Sequence, residues 1–496
     1  MYIVIELGTW KSACAYADVT GRPVVVTSPW GESSIPTVIS LSDSGPLIGT
    51  EAIQAAARDP SRCIRYPKRK IGTDDVVNVG PDGKEWRARD CYQLFASVFK
   101  DMVERKTGEV VDTVVLTVPA GYNDAQIRED KEAAEKAGLT VLLVVREPTA
   151  FAVSSDLASR GSGHVAILDV GGGTTDGTVL KVSGNNLDIL GTGGVPNLGG
   201  CDFTARIEKA VIDKFRSEHG FVPDPVADAL DMLNLSEQAE RAKIILSRCP
   251  TATIVFTCRG HTTRMDISQA DFEHLCADLG AEVVGCLTRT LADCKLRPSD
   301  LREVLMVGGA SQMPMIGRLI DQEPGIKPTF GREPLYGAAM GAVTMGLAEL
   351  ARRGQRQTVS GILIPAPDLF VQEVTAHPLG VTVVNPGDHK LVHSVVLECG
   401  RPYPCDVTRR FQLAVPGQTE VRIELLQGDP DAPRKNCRVL GCGDMRDLPA
   451  IADRSHVIEI RVRIDASGVV WVTARDVESG KTLELTADPR KVSQAS

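Results

Sequence analysis

Two stretches of this chain share one uncommon form. Ile3-Val4-Ile5-Glu6-Leu7-Gly8-Thr9 and Ala166-Ile167-Leu168-Asp169-Val170-Gly171-Gly172-Gly173-Thr174 each run from an apolar strand through an acid and an apolar residue to glycine and threonine. They lie about 165 residues apart, which suggests a duplicated half-domain. An acid at a strand end followed by glycines and threonine suits a phosphate hairpin. Glycine lets backbone N–H groups approach phosphate oxygens, and the hydroxyl adds a donor. The acid can hold Mg²⁺, usually through waters. Each stretch alone also fits a plain glycine-rich turn, but two facing hairpins can clamp one polyphosphate. A third element, Val304-Leu305-Met306-Val307-Gly308-Gly309-Ala310-Ser311, reads as strand, Gly-Gly, helix, and could seat a nucleoside against bare backbone.

Around these hairpins, short apolar runs alternate with amphipathic stretches up to Leu350. Val114–Val118 and Val165–Asp169 read as buried strands. Asp124–Ala137 and Ser236–Leu246 read as helices, charged on one side and rich in Ala, Ile and Leu on the other. The mixture predicts an α/β architecture. The texture then changes. Ala351–Gln357 is polar and basic, as a surface segment would be. Pro365-Ala366-Pro367-Asp368 stops any helix, and Leu369-Phe370-Val371 is a short apolar piece. From Val374 the pattern is alternation with turns. Val421–Leu425, Val457–Ile464 and Val469–Ala474 read as half-buried strands, and Asp465–Gly468 and Glu478–Lys481 as turns. The last 120 or so residues predict an all-β sandwich.

Composition narrows the function classes. With 55 Lys+Arg against 64 Asp+Glu, the net charge of −9 argues against a dedicated nucleic-acid binder. No apolar run approaches the roughly 20 residues of a membrane helix. The first residues lack the basic and cleavage regions of a signal peptide and read as a strand. The 13 cysteines contain no Cys-x-x-Cys pair. Cys399, Cys405, Cys437 and Cys442 could gather round zinc, but their spacing is looser than structural zinc sites use. Reduced thiols in a cytoplasmic protein are the simpler expectation.

The two hairpins and the late Gly-Gly occur in the order of the actin, sugar-kinase and heat-shock ATPase superfamily. More specific strings choose within it. Val118-Pro119-Ala120-Gly121-Tyr122-Asn123-Asp124-Ala125-Gln126, Arg146-Glu147-Pro148-Thr149-Ala150, Leu198-Gly199-Gly200-Cys201-Asp202-Phe203 and Glu240-Arg241-Ala242-Lys243 resemble heat shock protein 70 (DnaK-type) chaperones. So do Leu425-Leu426-Gln427-Gly428-Asp429, Ile464-Asp465-Ala466-Ser467-Gly468 and Ser479-Gly480-Lys481. The resemblance covers nearly the whole chain. It implies a two-lobed actin-like ATPase domain over 1–350, a linker over 351–373 and an all-β peptide-binding sandwich over 374–489. It implies ATP or ADP with Mg²⁺ as cofactors, with K⁺ a further candidate. Partners would be unfolded polypeptide segments, a J-domain co-chaperone and a nucleotide exchange factor, with no nucleic acid and no membrane.

The resemblance also assigns residues by position. Glu6 and Asp169 flank the metal. Gly8, Thr9, Trp10, Gly171, Gly172, Gly173 and Thr174 follow the phosphates, as do Gly199 and Gly200. Lys68 matches the lysine that orients the attacking water, and Glu147 and Asp176 match the remaining acids. Glu240, Lys243 and Ser247, on one helix face by spacing, match the adenosine contacts, with Gly308, Gly309 and Gln312 opposite. In the sandwich, Val384 and Ala414 would arch over a bound peptide, and Val421, Phe411 and Ile423 would line a pocket. The groove is expected on a loop around Val381–Val384 and on 411–421.

Several positions depart from the pattern. Glu6 stands for the usual Asp. Trp10 and Lys11 replace small or polar residues. Gln312 falls where an arginine normally stacks on adenine, Ile127 where an arginine relays between domains, and Glu373 ends a longer linker in place of Asp. No helical pattern follows Lys491, so a short form without the helical lid is expected. A small-molecule kinase would leave the sandwich unexplained. A nucleotide-sensing scaffold with little hydrolysis is the alternative that the departures support.

Overall fold

The same strand order occurs twice in the computed structural model, which describes residues 1–331, 333–375, 377–385, 387–452, 456–465 and 468–486. The first sheet contains β1 (Tyr2–Glu6), β2 (Lys11–Ala17), β3 (Pro23–Val25), β4 (Thr113–Val118) and β5 (Thr140–Arg146), in the order β5-β4-β1-β2-β3. The second contains β6 (Gly163–Val170), β7 (Thr174–Ser183), β8 (Asn186–Pro196), β9 (Leu301–Val307) and β10 (Pro328–Phe330), in the order β10-β9-β6-β7-β8. In each, the central strand runs antiparallel to the next strand in the chain and parallel to a later one. Each motif that begins strand–acid–glycine is therefore the central strand and hairpin of one sheet. This matches a duplication at the level of topology.

Central strands buried on both faces read as unbroken apolar runs. Ile3, Val4 and Ile5 in β1 and Val165 through Leu168 in β6 are buried accordingly. Helices α1 (Glu147–Ser154), α2 (Gly200–His219), α3 (Ala229–Leu246) and α4 (Gly337–Arg352) carry residues that matter below. Their ends follow local chemistry. Asp202, in the first turn of α2, accepts from the Gly199 N–H at 2.8 Å, and Gly220 closes the helix at φ 79°.

Apart from Asp188–Gly191 in the middle of β8, these elements belong to one unit, Met1–Gly121 with Asp130–Leu187 and Thr192–Phe370. A second unit gathers Tyr122–Glu129, Asp188–Gly191 and the residues from Val371 onward. Its body is two four-stranded sheets. One runs β12-β11-β14-β15 and the other β13-β16-β17-β18. The strands are β11 (Leu379–Val384), β12 (Leu391–Leu397), β13 (Cys405–Gln412), β14 (Val421–Gln427), β15 (Arg438–Met445), β16 (Val457–Ile464), β17 (Val470–Asp476) and β18 (Thr482–Thr486). All neighbours pair antiparallel. The alternation of β16 puts Ile458, Ile460, Val462 and Ile464 inside, in one core with Leu379, Val381, Ile423 and Leu425 of the other sheet. Within this unit Asp124 accepts from the Val470 N–H at 2.9 Å, and Arg128 donates to the Val470 carbonyl. Ile127 between them is buried.

Local pattern and structure differ at identifiable places. The helix expected from Ser236 begins at Ala229, because Ala229-Leu230-Asp231-Met232 carries helical propensity without a clear apolar face. Residues 351–356 are exposed, as expected of a surface segment, but the segment is tied down at both ends. Helix α4 runs through Arg352, and buried Gln357 accepts from the Tyr2 N–H at 3.0 Å. Val381–Val384, expected in a loop, forms the end of β11. The turn expected at Asp465–Gly468 shows the Gly468 N–H bonded to the Asp465 carbonyl at 3.0 Å, with Ala466 and Ser467 outside the described residues. The expectation about a lid rests on residues 487–496, also outside them. Among the described residues no helix is long and apolar enough to cross a membrane.

Candidate functional site

The tips of the two hairpins meet in the first unit. A Cβ on Gly173 would lie 2.6 Å from the Thr9 side chain, and one on Gly172 would lie 2.8 Å from Cβ of Trp10. Side chains at 172 and 173 would force the hairpins apart. Beside this contact opens a cleft of about 450 Å³. Glu6, Gly8, Thr9, Trp10 and Lys11 line it from the first hairpin, and Asp169, Gly171, Gly172 and Thr174 from the second. Lys68, Glu147, Gly200, Glu240, Lys243, Ser247, Gly308, Gly309 and Gln312 complete the set of expected residues that line it. Gly173, Gly199 and Asp176 stand just behind the lining. A Cβ on Gly199 would lie 2.5 Å from the Gly173 backbone nitrogen, and Asp176 accepts from the Gly121 N–H at 3.0 Å.

The acids converge on one lysine. A short 3₁₀ turn, Pro67–Lys70, carries Lys68, and Tyr66 enters it in the left-handed region at φ 57°. Glu147 opens helix α1, where the dipole favours a carboxylate. Lys68 Nζ donates to Glu147 Oε1 at 2.9 Å, with both side chains buried. Asp169, next to last in β6, pairs in register with Asp176 across the hairpin and with Val307 of β9. Gly308, next in the chain after Val307, has φ 80°. A Cβ there would lie 2.3 Å from Asp169 Oδ1, so only glycine lets the backbone pass this carboxylate.

Crowded burial sets the electrostatics. Burial, and then the charge of Glu147, push the Glu6 carboxyl up to about 8. Burial, followed by Glu147, Asp176 and Glu6, holds Asp169 well above the usual carboxylate range. Burial and Glu147 take Asp176 up to about 6. Burial works against the charge of Lys68, yet Glu147, Asp130 and Glu6 outweigh it and hold its ammonium above the ordinary lysine value. The cluster carries more acid than its one buried base can offset.

Three expected residues, Glu6, Lys243 and Trp10, have partners that the sequence did not suggest. Glu6 Oε2 accepts from the Ala339 N–H at 2.9 Å, in the first turn of α4. The extra methylene relative to Asp gives the reach. Lys243 is buried and donates to the Gly200 carbonyl, Thr204 Oγ1 and Glu240 Oε2, at 2.8, 3.0 and 2.6 Å. Trp10 stacks on Tyr66 with centroids 6.0 Å apart, and the Arg65 guanidinium lies 5.5 Å from the Trp10 ring. Arg65 also pairs with Glu237 of α3 at 3.0 Å, and Arg69 with Asp202 of α2 at 2.6 Å.

Sequence reading missed Phe151, Cys201, Ile244, Arg248, Ala310, Met313, Pro334 and Leu335, which also line the cleft. Ile244 and Arg248 had a usable signal, since they flank Lys243 and Ser247. Pro334 and Leu335 had none.

The expected peptide-contacting residues divide. Ile423 is part of the sandwich core, and Phe411 and Val421 pack half-buried against it. Val384, at the end of β11, and Ala414 are exposed and stand outside that cluster. All 13 cysteines are free thiols. Among the described residues, Asp228, Asp231 and Cys258 come close enough to hold a metal ion, but Asp228 is already paired with Arg259 at 2.8 Å.

A family model described as Hsp70 protein matches residues 2–496. The chain therefore belongs to the Hsp70 family, whose members are chaperones with ATPase activity.

Proposed function

We propose that this Hsp70-family chain is an ATP-dependent chaperone. Its first unit binds and hydrolyses ATP. Its sandwich binds extended apolar segments of unfolded proteins with an affinity that the nucleotide controls. The observation that carries the reading is the meeting of two glycine hairpins beside a buried acid cluster that encloses Lys68. Glycine backbones and Thr9 and Thr174 hydroxyls suit a polyphosphate.

The donor set fits Mg²⁺, a hard cation that takes carboxylate and water oxygens. Asp169 and Glu6 would hold the metal, and a dication would offset the excess acid of the cluster. The metal would supply charge neutralisation on the phosphates. Lys68, fixed by Glu147, orients the attacking water and faces charge that builds on the terminal phosphate. Phosphoryl transfer asks chiefly for such positioning. In the sandwich, an extended peptide would be held largely by main-chain hydrogen bonds, with specificity from small apolar pockets.

A single-turnover ATPase assay on the full chain, with and without an unfolded peptide, tests this. Hydrolysis accelerated by peptide is expected. Nucleotide binding without turnover in either arm would replace the reading with that of a nucleotide-sensing scaffold. No binding at millimolar MgATP would overturn both.

A further inference from the structure

The cleft holds a cation that nothing above uses. An ammonium has three N–H donors, and the three partners of Lys243 lie inside the protein. The network ties α3 to the first turn of α2 and leaves Lys243 without a donor for a ligand. The Gln312 amide nitrogen reaches Ser311 Oγ at 3.4 Å. Ser247 Oγ donates to the Lys243 carbonyl at 3.3 Å. Ile244, Met313, Pro334 and Leu335 add apolar surface to the lining, and Arg248 adds a guanidinium.

Arg248 sits in the turn that follows α3, with its backbone N–H on the Ile245 carbonyl at 2.9 Å. Its side chain is exposed. It has neither an ion pair nor a side-chain hydrogen bond among the described residues, whereas Arg65 and Arg69, beside the same cleft, are both paired. A guanidinium is planar and weakly hydrated, and it stacks on aromatic faces. An unpaired one at the rim of an apolar slot matches the two needs of a nucleobase, an apolar edge and a polarisable face.

We propose that Arg248 is the base-contacting cation of this cleft. Its guanidinium lies on the face of the nucleobase, and Ile244, Met313 and Leu335 shield the edges. The assignment rests on the nucleotide-binding reading and deepens it by giving base affinity to a residue outside the inherited contact set.

Calorimetry on the full chain with Mg²⁺ tests it, using ADP and inorganic pyrophosphate as separate probes. Arg248→Ala should weaken ADP binding roughly tenfold. It should leave pyrophosphate within about twofold and the melting temperature unchanged, since among the described residues the side chain has no partner. Arg248→Lys keeps the charge but not the plane, and should fall between. In steady-state turnover KM should rise while kcat holds. Wild-type ADP binding that Arg248→Ala does not alter overturns the assignment alone. An equal loss for pyrophosphate also overturns it, because the contact would then be to phosphate. Absence of ADP binding in the wild type overturns the nucleotide reading together with it.

Discussion

Lys68 and Glu147 form an ion pair at 2.9 Å whose members stand 79 residues apart in the chain, buried among further acids. Breaking a buried pair by removing one partner is strongly destabilising, because the other charge stays uncompensated. The pair is thus both a strut and, on the proposed reading, the device that aims a donor at the attacking water.

Lys68→Ala should lower single-turnover hydrolysis by at least about 100-fold and leave MgADP affinity within about threefold, since the lost interaction belongs mainly to the transition state. Quench-flow and calorimetry separate the two. Retained hydrolysis would remove Lys68 from the mechanism.

Glu6→Asp should withdraw the carboxylate from the Ala339 N–H. One buried hydrogen bond would be lost, about 1 kcal/mol of stability. Turnover should hold or rise, because the shorter acid is freed from α4 to face the metal. Scanning calorimetry and the ATPase rate check the two parts. A fall in turnover with unchanged stability would reverse both.

Gly308→Ala should cost about 2 kcal/mol or more, with φ 80° strained for alanine and the new Cβ aimed at Asp169. Gly354→Ala, at φ 70° with nothing within 4 Å, isolates the backbone cost at about 1 kcal/mol. Nucleotide affinity should fall for the first variant only. Urea titration and calorimetry give both numbers, and equal costs would show that the Asp169 contact is slack.

Acid should weaken the sandwich through Asp476. Burial pushes its pKa up, but bonds from Ser479 and His456 outweigh that and hold the carboxyl below the usual aspartate range. A depressed folded pKa adds stability above the unfolded value, and that stability fades as pH falls through the folded one. The melting temperature should therefore drop as pH falls from the ordinary aspartate range to below it. Asp476→Asn, which cannot ionise, should flatten that slope while lowering stability at neutral pH. An unchanged slope would assign the acid sensitivity to other groups.

Short-range pattern was enough to locate the hairpins at 6–9 and 169–174, the buried strands and the alternation of β16, because strand and helix periods report which face of an element is apolar. It also placed Lys68, Glu147 and Asp169 as candidates, through motifs matched by position. It could not say what those faces and side chains meet. Glu6 reaches Ala339 across 333 residues, Gln357 is drawn in to Tyr2 across 355, and Lys243 is bonded inward to Gly200 across 43. Those partners come from the packing of distant elements, which leaves no local period to read. The same packing decides that Arg248, which the sequence shows only as a neighbour of Ser247, is the arginine left without a partner at the cleft among the described residues.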